Sequence, residues 1–173
     1  SPAFAELNVR TYVTYNGKPG VYFFSLDANH KPAVTFANLT YGLPYLHAKM
    51  DYFLKGNTVH FQSERTDSRA NKGTFHATYS PIGQIFTASP ASIEQWLTER
   101  YSLFVVKGKA IYEGKILHQP WQLQQAEAHF DESTVAASVG IPLLEPATLL
   151  HYSHQLEVKI WPPQKVGIYH SGL

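Results

Sequence analysis

The sequence predicts a mostly β fold of the α+β class: an antiparallel sheet curled into a barrel or cone, with two or three short helices. Three observations predict it. Phe4-Ala-Glu-Leu-Asn-Val-Arg-Thr-Tyr-Val13 alternates strictly, with Leu7, Val9, Thr11 and Val13 on one side and Glu6, Asn8 and Arg10 on the other. Turn clusters such as Asn16-Gly-Lys-Pro-Gly20 and Lys55-Gly-Asn57 separate successive strand-like runs. Aromatic residues make up 14% of the chain, with 11 Pro and 11 Gly, a balance that favours strands and turns over long helices.

Taken in order, 4–15 and Val21–Leu26 form a hairpin, and the unbroken apolar run of Val21–Leu26 predicts a strand covered on both faces. Pro32 suits a first helical turn, so a short helix is expected over 33–41, ended by Gly42 and Pro44. Tyr45–Leu54 and Thr58–Glu64 pair across Lys55-Gly-Asn57. Residues 67–71 are a polar loop, 73–79 a further strand, and Ser80-Pro-Ile-Gly83 is expected to break the chain. A second helix is expected after Ser89 as N-cap and Pro90 at the first position, with Ile93, Trp96, Leu97 and Arg100 at helical spacing. Then 101–107 and 110–117 form another hairpin, 121–129 a strand, 131–140 a short helix, 141–148 a loop, and 151–161 a last strand stopped by Pro162-Pro163.

At 173 residues the chain reads as one domain, able to bury about 70% of its unfolded surface. Its net charge is +1 without a basic block or stripe, so no nucleic-acid partner is expected. No apolar run is long enough to span a bilayer and no signal peptide is visible, which leaves the cytosol as the expected location. The absence of cysteine excludes disulfides, thiolate catalysis and Cys-ligated zinc. The nine histidines are scattered through strands, and the sequence points to no metal and no cofactor. Strand-like sequence begins by Phe4, as in a processed chain or one lacking a first portion. A strand left open by such a loss would be a template for a second copy of the chain.

The polar row of the first strand holds one carboxylate, one amide and one guanidinium, bracketed by aromatic residues, a composition suited to the wall of a half-buried pocket. A buried guanidinium needs a partner, so Arg10 would meet either Glu6 in an internal ion pair or the carboxylate of a small organic ligand. Arg65, at a strand end, and Arg100, at a helix end, could add positive charge. For Arg65 the competing role is an exposed loop cation, and for Arg100 a helix C-cap. His118 precedes Pro120 and Trp121 at a bend, where it could transfer protons into a pocket or simply bind a backbone carbonyl. Tyr12, Tyr22, Tyr45 and Trp121 read as walls of a core or cavity.

Glu6-Leu-Asn-Val-Arg-Thr-Tyr12, Lys18-Pro-Gly-Val-Tyr-Phe-Phe-Ser-Leu-Asp27, Gly42-Leu-Pro-Tyr45, Leu97-Thr-Glu-Arg-Tyr101 and His118-Gln-Pro-Trp-Gln-Leu123 occur in an order that resembles the YqjF-like family, domain of unknown function 2071. Leu150-His-Tyr-Ser-His154 and Trp161-Pro162 fit as well. Members usually carry a further N-terminal portion. The family is similar to acetoacetate decarboxylase, which implies a cone-like sheet around an inner pocket, with Glu6 in place of that enzyme's pocket carboxylate. The resemblance also implies that Tyr45 and Leu46 stand where the decarboxylase has a Lys-Lys pair, so neither position can form its imine. The combined expectation is a small-ligand protein with Glu6 and His118 as acid–base groups and Asn8, Arg10, Tyr45, Arg65, Arg100 and Trp121 as ligand contacts. A structural or interaction domain is the alternative.

Overall fold

The computed structural model describes residues 4–30 and 42–171. Eleven strands, β1 (Glu6–Tyr15), β2 (Lys18–Ala28), β3 (Tyr45–Lys55), β4 (Thr58–Arg65), β5 (Thr74–Phe86), β6 (Ser102–Lys107), β7 (Ala110–His118), β8 (Leu123–Ser133), β9 (His151–Tyr152), β10 (Val158–Ile160) and β11 (Gln164–Ile168), form one sheet. One α-helix, α1 (Ile93–Thr98), lies between β5 and β6. The path runs β10-β7-β6-β2-β3-β4-β5-β8-β9, with β1 added to β2 and β11 to β7.

β2 is the central element. β1 covers one of its edges, while β3 and β6 share the other and both run parallel to it. This explains the unbroken apolar run: Val21 and Leu26 are buried and join Leu43, Leu103 and Val105 in one core. A second core of Ala48, Met50 and Phe61 takes in Leu7 from the opposite face of β1. Gly20 is obligatory at this crossing, because a Cβ there would lie 2.7 Å from the carbonyl oxygen of Ser102.

The expectations need six corrections. The sheet is not wholly antiparallel and it does not close into a barrel: β9 and β10 end the path without pairing to each other. They are nevertheless near neighbours in sequence. The chain from Tyr152 to Val158 can reach only about 20 Å, so the two branches that leave the shared edge of β2, one through β3 to β9 and one through β6 to β10, end within that reach of one another. The sheet is therefore an open fork whose two branch ends curl to within that distance of one another, across a seam.

Two or three helices were expected, and the described residues contain one α-helix; residues 137–139 form only a 3₁₀ turn, and the helix expected over 33–41 lies outside the described residues. The N-cap of α1 is Ser92, not Ser89: its side chain accepts from the N–H of Gln95, whose own side chain accepts from the N–H of Ala91. Ala91 has φ +61°, a left-handed conformation that keeps Pro90 outside the helix.

Ser80-Pro-Ile-Gly83 does not end β5, because Pro81 faces Ala126, whose N–H turns away to the carbonyl of Leu150. Pro81 thus sits where the ladder needs no donor from it, beyond the last partner of β4 at Tyr79. The last strand expected over 151–161 is split into β9 and β10 on opposite sides of the seam, and after Pro162-Pro163 the chain resumes as β11 along β7.

Candidate functional site

β1 keeps its alternation to Arg10 because the extra residue at the irregularity in the β1–β2 ladder, Phe24, is on β2. Glu6 and Arg10 therefore share one face and line a cavity of about 330 Å³ inside the curl. Tyr45 from β3, Arg100 after α1, His118 at the end of β7 and Trp121 complete its polar and aromatic lining. Leu43, Leu103, Val158 and Ile160 supply apolar walls, the last two from β10 at the seam. Six of the eight expected residues thus converge on one space. The other two do not line it. Asn8 donates from Nδ2 to Glu6 Oε1 at 3.5 Å, beside the cavity.

Arg65 is elsewhere, and it is neither an exposed loop cation nor a lining residue. Its side chain has no exposed surface and forms a two-pronged pair with Asp27, Nε to Oδ1 at 2.9 Å and Nη2 to Oδ2 at 3.1 Å. Its Nη1 donates to the carbonyl of Asn71 and to Ser138 Oγ. The polar loop after β4 folds back over the strand end and seals it.

Glu6 is exposed by surface area, yet protein crowds its carboxylate, as befits a cavity rim. Burial pushes its carboxyl pKa above 4.5, more than the hydrogen bonds from Tyr45 (2.8 Å to Oε2) and Asn8 pull it down. The Tyr45 hydroxyl is itself driven upward, by burial and by the neighbouring Glu6 charge. Because the folded state raises the Glu6 pKa, ionisation of Glu6 disfavours folding: its contribution is best below the ordinary carboxyl range and is lost as pH rises through the folded value. Glu6→Gln is accordingly expected to melt at a higher temperature than the wild type near pH 7, with the gap closing below about pH 4. Melting curves across pH would check this, and a gap independent of pH would contradict the assignment.

Arg10 forms no hydrogen bond or ion pair with any described residue; its guanidinium lies 5.6 Å from the ring of Tyr12. The internal Glu6–Arg10 ion pair is not formed. Arg100 is occupied differently. Its Nε donates to the carbonyl of Trp96 in the last turn of α1, and Nη1 donates to the carbonyls of Val13 and Gly20, joining the helix to β1 and β2. It also stacks over Trp96 at 4.3 Å and Tyr12 at 5.1 Å. Burial, with Arg10 nearby, lowers its pKa from the usual guanidinium value. Two cations therefore border the cavity, one engaged by carbonyls and one not.

His118 is buried, and its Nδ1 lies 2.7 Å from the carbonyl of Gln119. A carbonyl only accepts, so Nδ1 carries the proton and Nε2 is the basic nitrogen. The imidazole stacks on Tyr101, and Trp121 meets it edge-on. Glu99 ties this group together: it accepts from the Tyr101 hydroxyl, pushing that pKa up to about 12, and from the backbone N–H of Trp121. Sequence reasoning missed Glu99 as a positioning residue; its only signal was its place between the helix and Arg100. Tyr12 was legible as a wall, since it continues the even-numbered row of β1. Val158 and Ile160 carried no signal, because only the seam brings them to β1.

A larger cavity of about 810 Å³ lies along β7 and β11 near Trp161, but it includes none of the eight expected residues. Its carboxylates are already engaged, Glu113 by Lys18 and Ser102, and Glu99 by Tyr101. No lysine lines the smaller cavity, and Lys49 is exposed on β3. Among the described residues no group of three or more His, Asp or Glu is arranged to hold a metal, and no helix is long and apolar enough to cross a membrane.

Residues 2–157 match domain of unknown function 2071, described as an uncharacterized conserved protein. The chain belongs to this family. It is 46% identical over 163 residues to "Uncharacterized protein YqjF" of Bacillus subtilis (strain 168), an alignment that covers 94% of this chain. The chain spans 66% of that relative's own length. In fold it is similar to acetoacetate decarboxylase of Legionella pneumophila, with TM-score 0.60 and 13% identity over 96% of this chain and 68% of that one. A second structure of acetoacetate decarboxylase gives TM-score 0.62 and 13% identity over 96% and 69%. The enduracididine biosynthesis enzyme MppR, complexed with pyruvate, gives 0.54 and 10% over 96% and 65%. At such identities the likeness is one of fold. It agrees with the relation to acetoacetate decarboxylase that the motifs implied.

Proposed function

We propose that the cavity binds a small organic carboxylate, with Arg10 as its counter-ion and Glu6 and His118 as acid–base groups. The observation that carries this reading is the state of Arg10. A half-buried guanidinium that makes no hydrogen bond or ion pair with a described residue, resting beside the Tyr12 ring and next to a second cation, is available to hold an anion. Glu6, its pKa raised and its oxygens placed by Tyr45 and Asn8, is suited to take a proton from a carbon or oxygen next to such a carboxylate. His118, with Nε2 basic, is the second group through which a proton could pass. Schiff-base chemistry has no lysine at this cavity to start from. The pyruvate bound by MppR is a ligand of the chemical class proposed here.

The test is a thermal-shift panel of small carboxylates and 2-oxo and 3-oxo acids, run on the wild type and on Arg10→Met. A ligand at 100 times its Kd adds about 2.7 kcal/mol, or a shift of several degrees. Arg10→Met should weaken it by about 1.5–3 kcal/mol, roughly 10- to 150-fold. Equal affinity in the variant would remove Arg10 from the site. With a ligand in hand, Glu6→Gln should abolish any turnover while leaving binding measurable.

One observation favours an interaction role as a second reading. β1 makes strand pairs with β2 alone among the described residues, so its other edge is open to a strand from another copy. A monomer by light scattering at high concentration would contradict it.

A further inference from the structure

Two further cavities follow the first in series. The second, of about 440 Å³, has Arg10, Leu97, Thr98 and Trp121 in common with the first. The third, of about 450 Å³, has His151, Tyr152 and Ser153 in common with the second. It lies on the face of β4 and β5 that packs on the second core, beside Val59 and Tyr79. Its space comes from two small residues of β8, Ala126 opposite Pro81 and Ala128 opposite Tyr79.

Charge is confined to one end of this series. Among the described residues, Arg10 is the one Asp, Glu, Lys or Arg that lines the second cavity, and none lines the third. The polar atoms of several lining residues are closed off. Trp121 Nε1, His151 Nε2 and Ser153 Oγ have essentially no accessible surface, so these side chains present carbon to the space. The Thr98 hydroxyl donates to the carbonyl of Glu94. Leu149 and Phe130, one on each of the two linings, are large apolar residues left exposed. A cation followed by uncharged, largely carbon walls is complementary to a molecule with one anionic head and an apolar body.

We propose that the ligand is a carboxylic acid with an extended apolar chain, its carboxylate at Arg10 and its chain running through the second cavity into the third. The inference rests on the carboxylate reading above and deepens it by naming the class of acid. The chain first meets Leu97, Leu123 and Leu149, then Ala128 and Phe130. Each methylene taken out of water adds to affinity without any directional contact, and the exposed surfaces of Leu149 and Phe130 are covered at the same time.

The experiment measures dissociation constants of pyruvate, 2-oxohexanoate and 2-oxodecanoate for the wild type, Arg10→Met, Leu149→Ser and Ala128→Phe. Affinity is expected to rise by about 2- to 4-fold for each added methylene, which makes 2-oxodecanoate bind about 100-fold or more tightly than pyruvate. Leu149→Ser should reduce the advantage of 2-oxohexanoate over pyruvate. Ala128→Phe fills the third cavity and should remove most of the further gain of 2-oxodecanoate, with pyruvate changed less than about 2-fold in both variants. Leu149 is exposed, so Leu149→Ser keeps the test open if Ala128→Phe disturbs the fold. An affinity that does not rise with chain length, or a rise that survives both variants, overturns the apolar extension. If Arg10→Met then still weakens pyruvate, the carboxylate site stands without it. Failure of all three acids to bind, or binding indifferent to Arg10→Met, overturns both readings together.

Discussion

Asp27→Ala is expected to destabilise the protein by about 3–5 kcal/mol, because it strands a charge that has nowhere to go. Arg65 has no exposed side-chain surface, and two of its nitrogens are matched to the two oxygens of Asp27. The remaining bonds, to the Asn71 carbonyl and to Ser138, satisfy donors but carry no compensating charge. At about 2–4 °C per kcal/mol for a chain of this size, the melting temperature should fall by roughly 6–20 °C. Asp27→Asn keeps an acceptor and should lose less. Replacing both partners, Asp27→Leu with Arg65→Met, should recover much of the loss, since an apolar pair of similar volume avoids both desolvation penalties. Urea unfolding of the two single variants and the double variant gives the coupling directly. A loss below about 1 kcal/mol for Asp27→Ala would mean that Arg65 finds water or another partner when Asp27 is gone.

Arg100→Met is expected to cost about 2–4 kcal/mol of stability, whereas Arg10→Met should cost almost none. The two guanidiniums border the same cavity but are held differently. Arg100 ties three carbonyls from α1, β1 and β2, and its removal leaves the end of the helix and the β1–β2 crossing without donors. Lysine should not rescue it, because an ammonium cannot reproduce the planar fork that reaches three acceptors and stacks on Trp96 and Tyr12. Arg10 has no such bonds to lose, and its removal relieves repulsion on Arg100. Melting curves of the two variants, measured without added ligand, therefore separate a structural cation from one that the proposed function assigns to binding. Equal losses would contradict that division.

How much of this was legible depended on the range over which each feature is decided. The alternation of β1 is local, so the row Glu6, Asn8, Arg10 could be read directly, and the structure puts Glu6 and Arg10 on one cavity wall with Asn8 supporting Glu6. The helix-end role of Arg100 was legible for the same reason, being set by a residue four positions away. Arg65 was not: its partner, Asp27, is 38 residues distant, and nothing near either residue announces the other. The split of 151–161 was also hidden, because the alternation continues through a segment whose halves pair with different strands.

By itself, then, the sequence determined the strands, most of their turns, the family and the polar face of β1, all of which rest on short-range periodicity, turn chemistry and ordered motifs. The tertiary structure alone decided that the sheet stays open, that Arg65 is buried while Arg10 makes no hydrogen bond or ion pair with any described residue, and that β9 and β10 face each other across the seam. Those outcomes depend on which strands lie side by side after the sheet rolls up. Such contacts join residues far apart in the chain, and no local pattern encodes them.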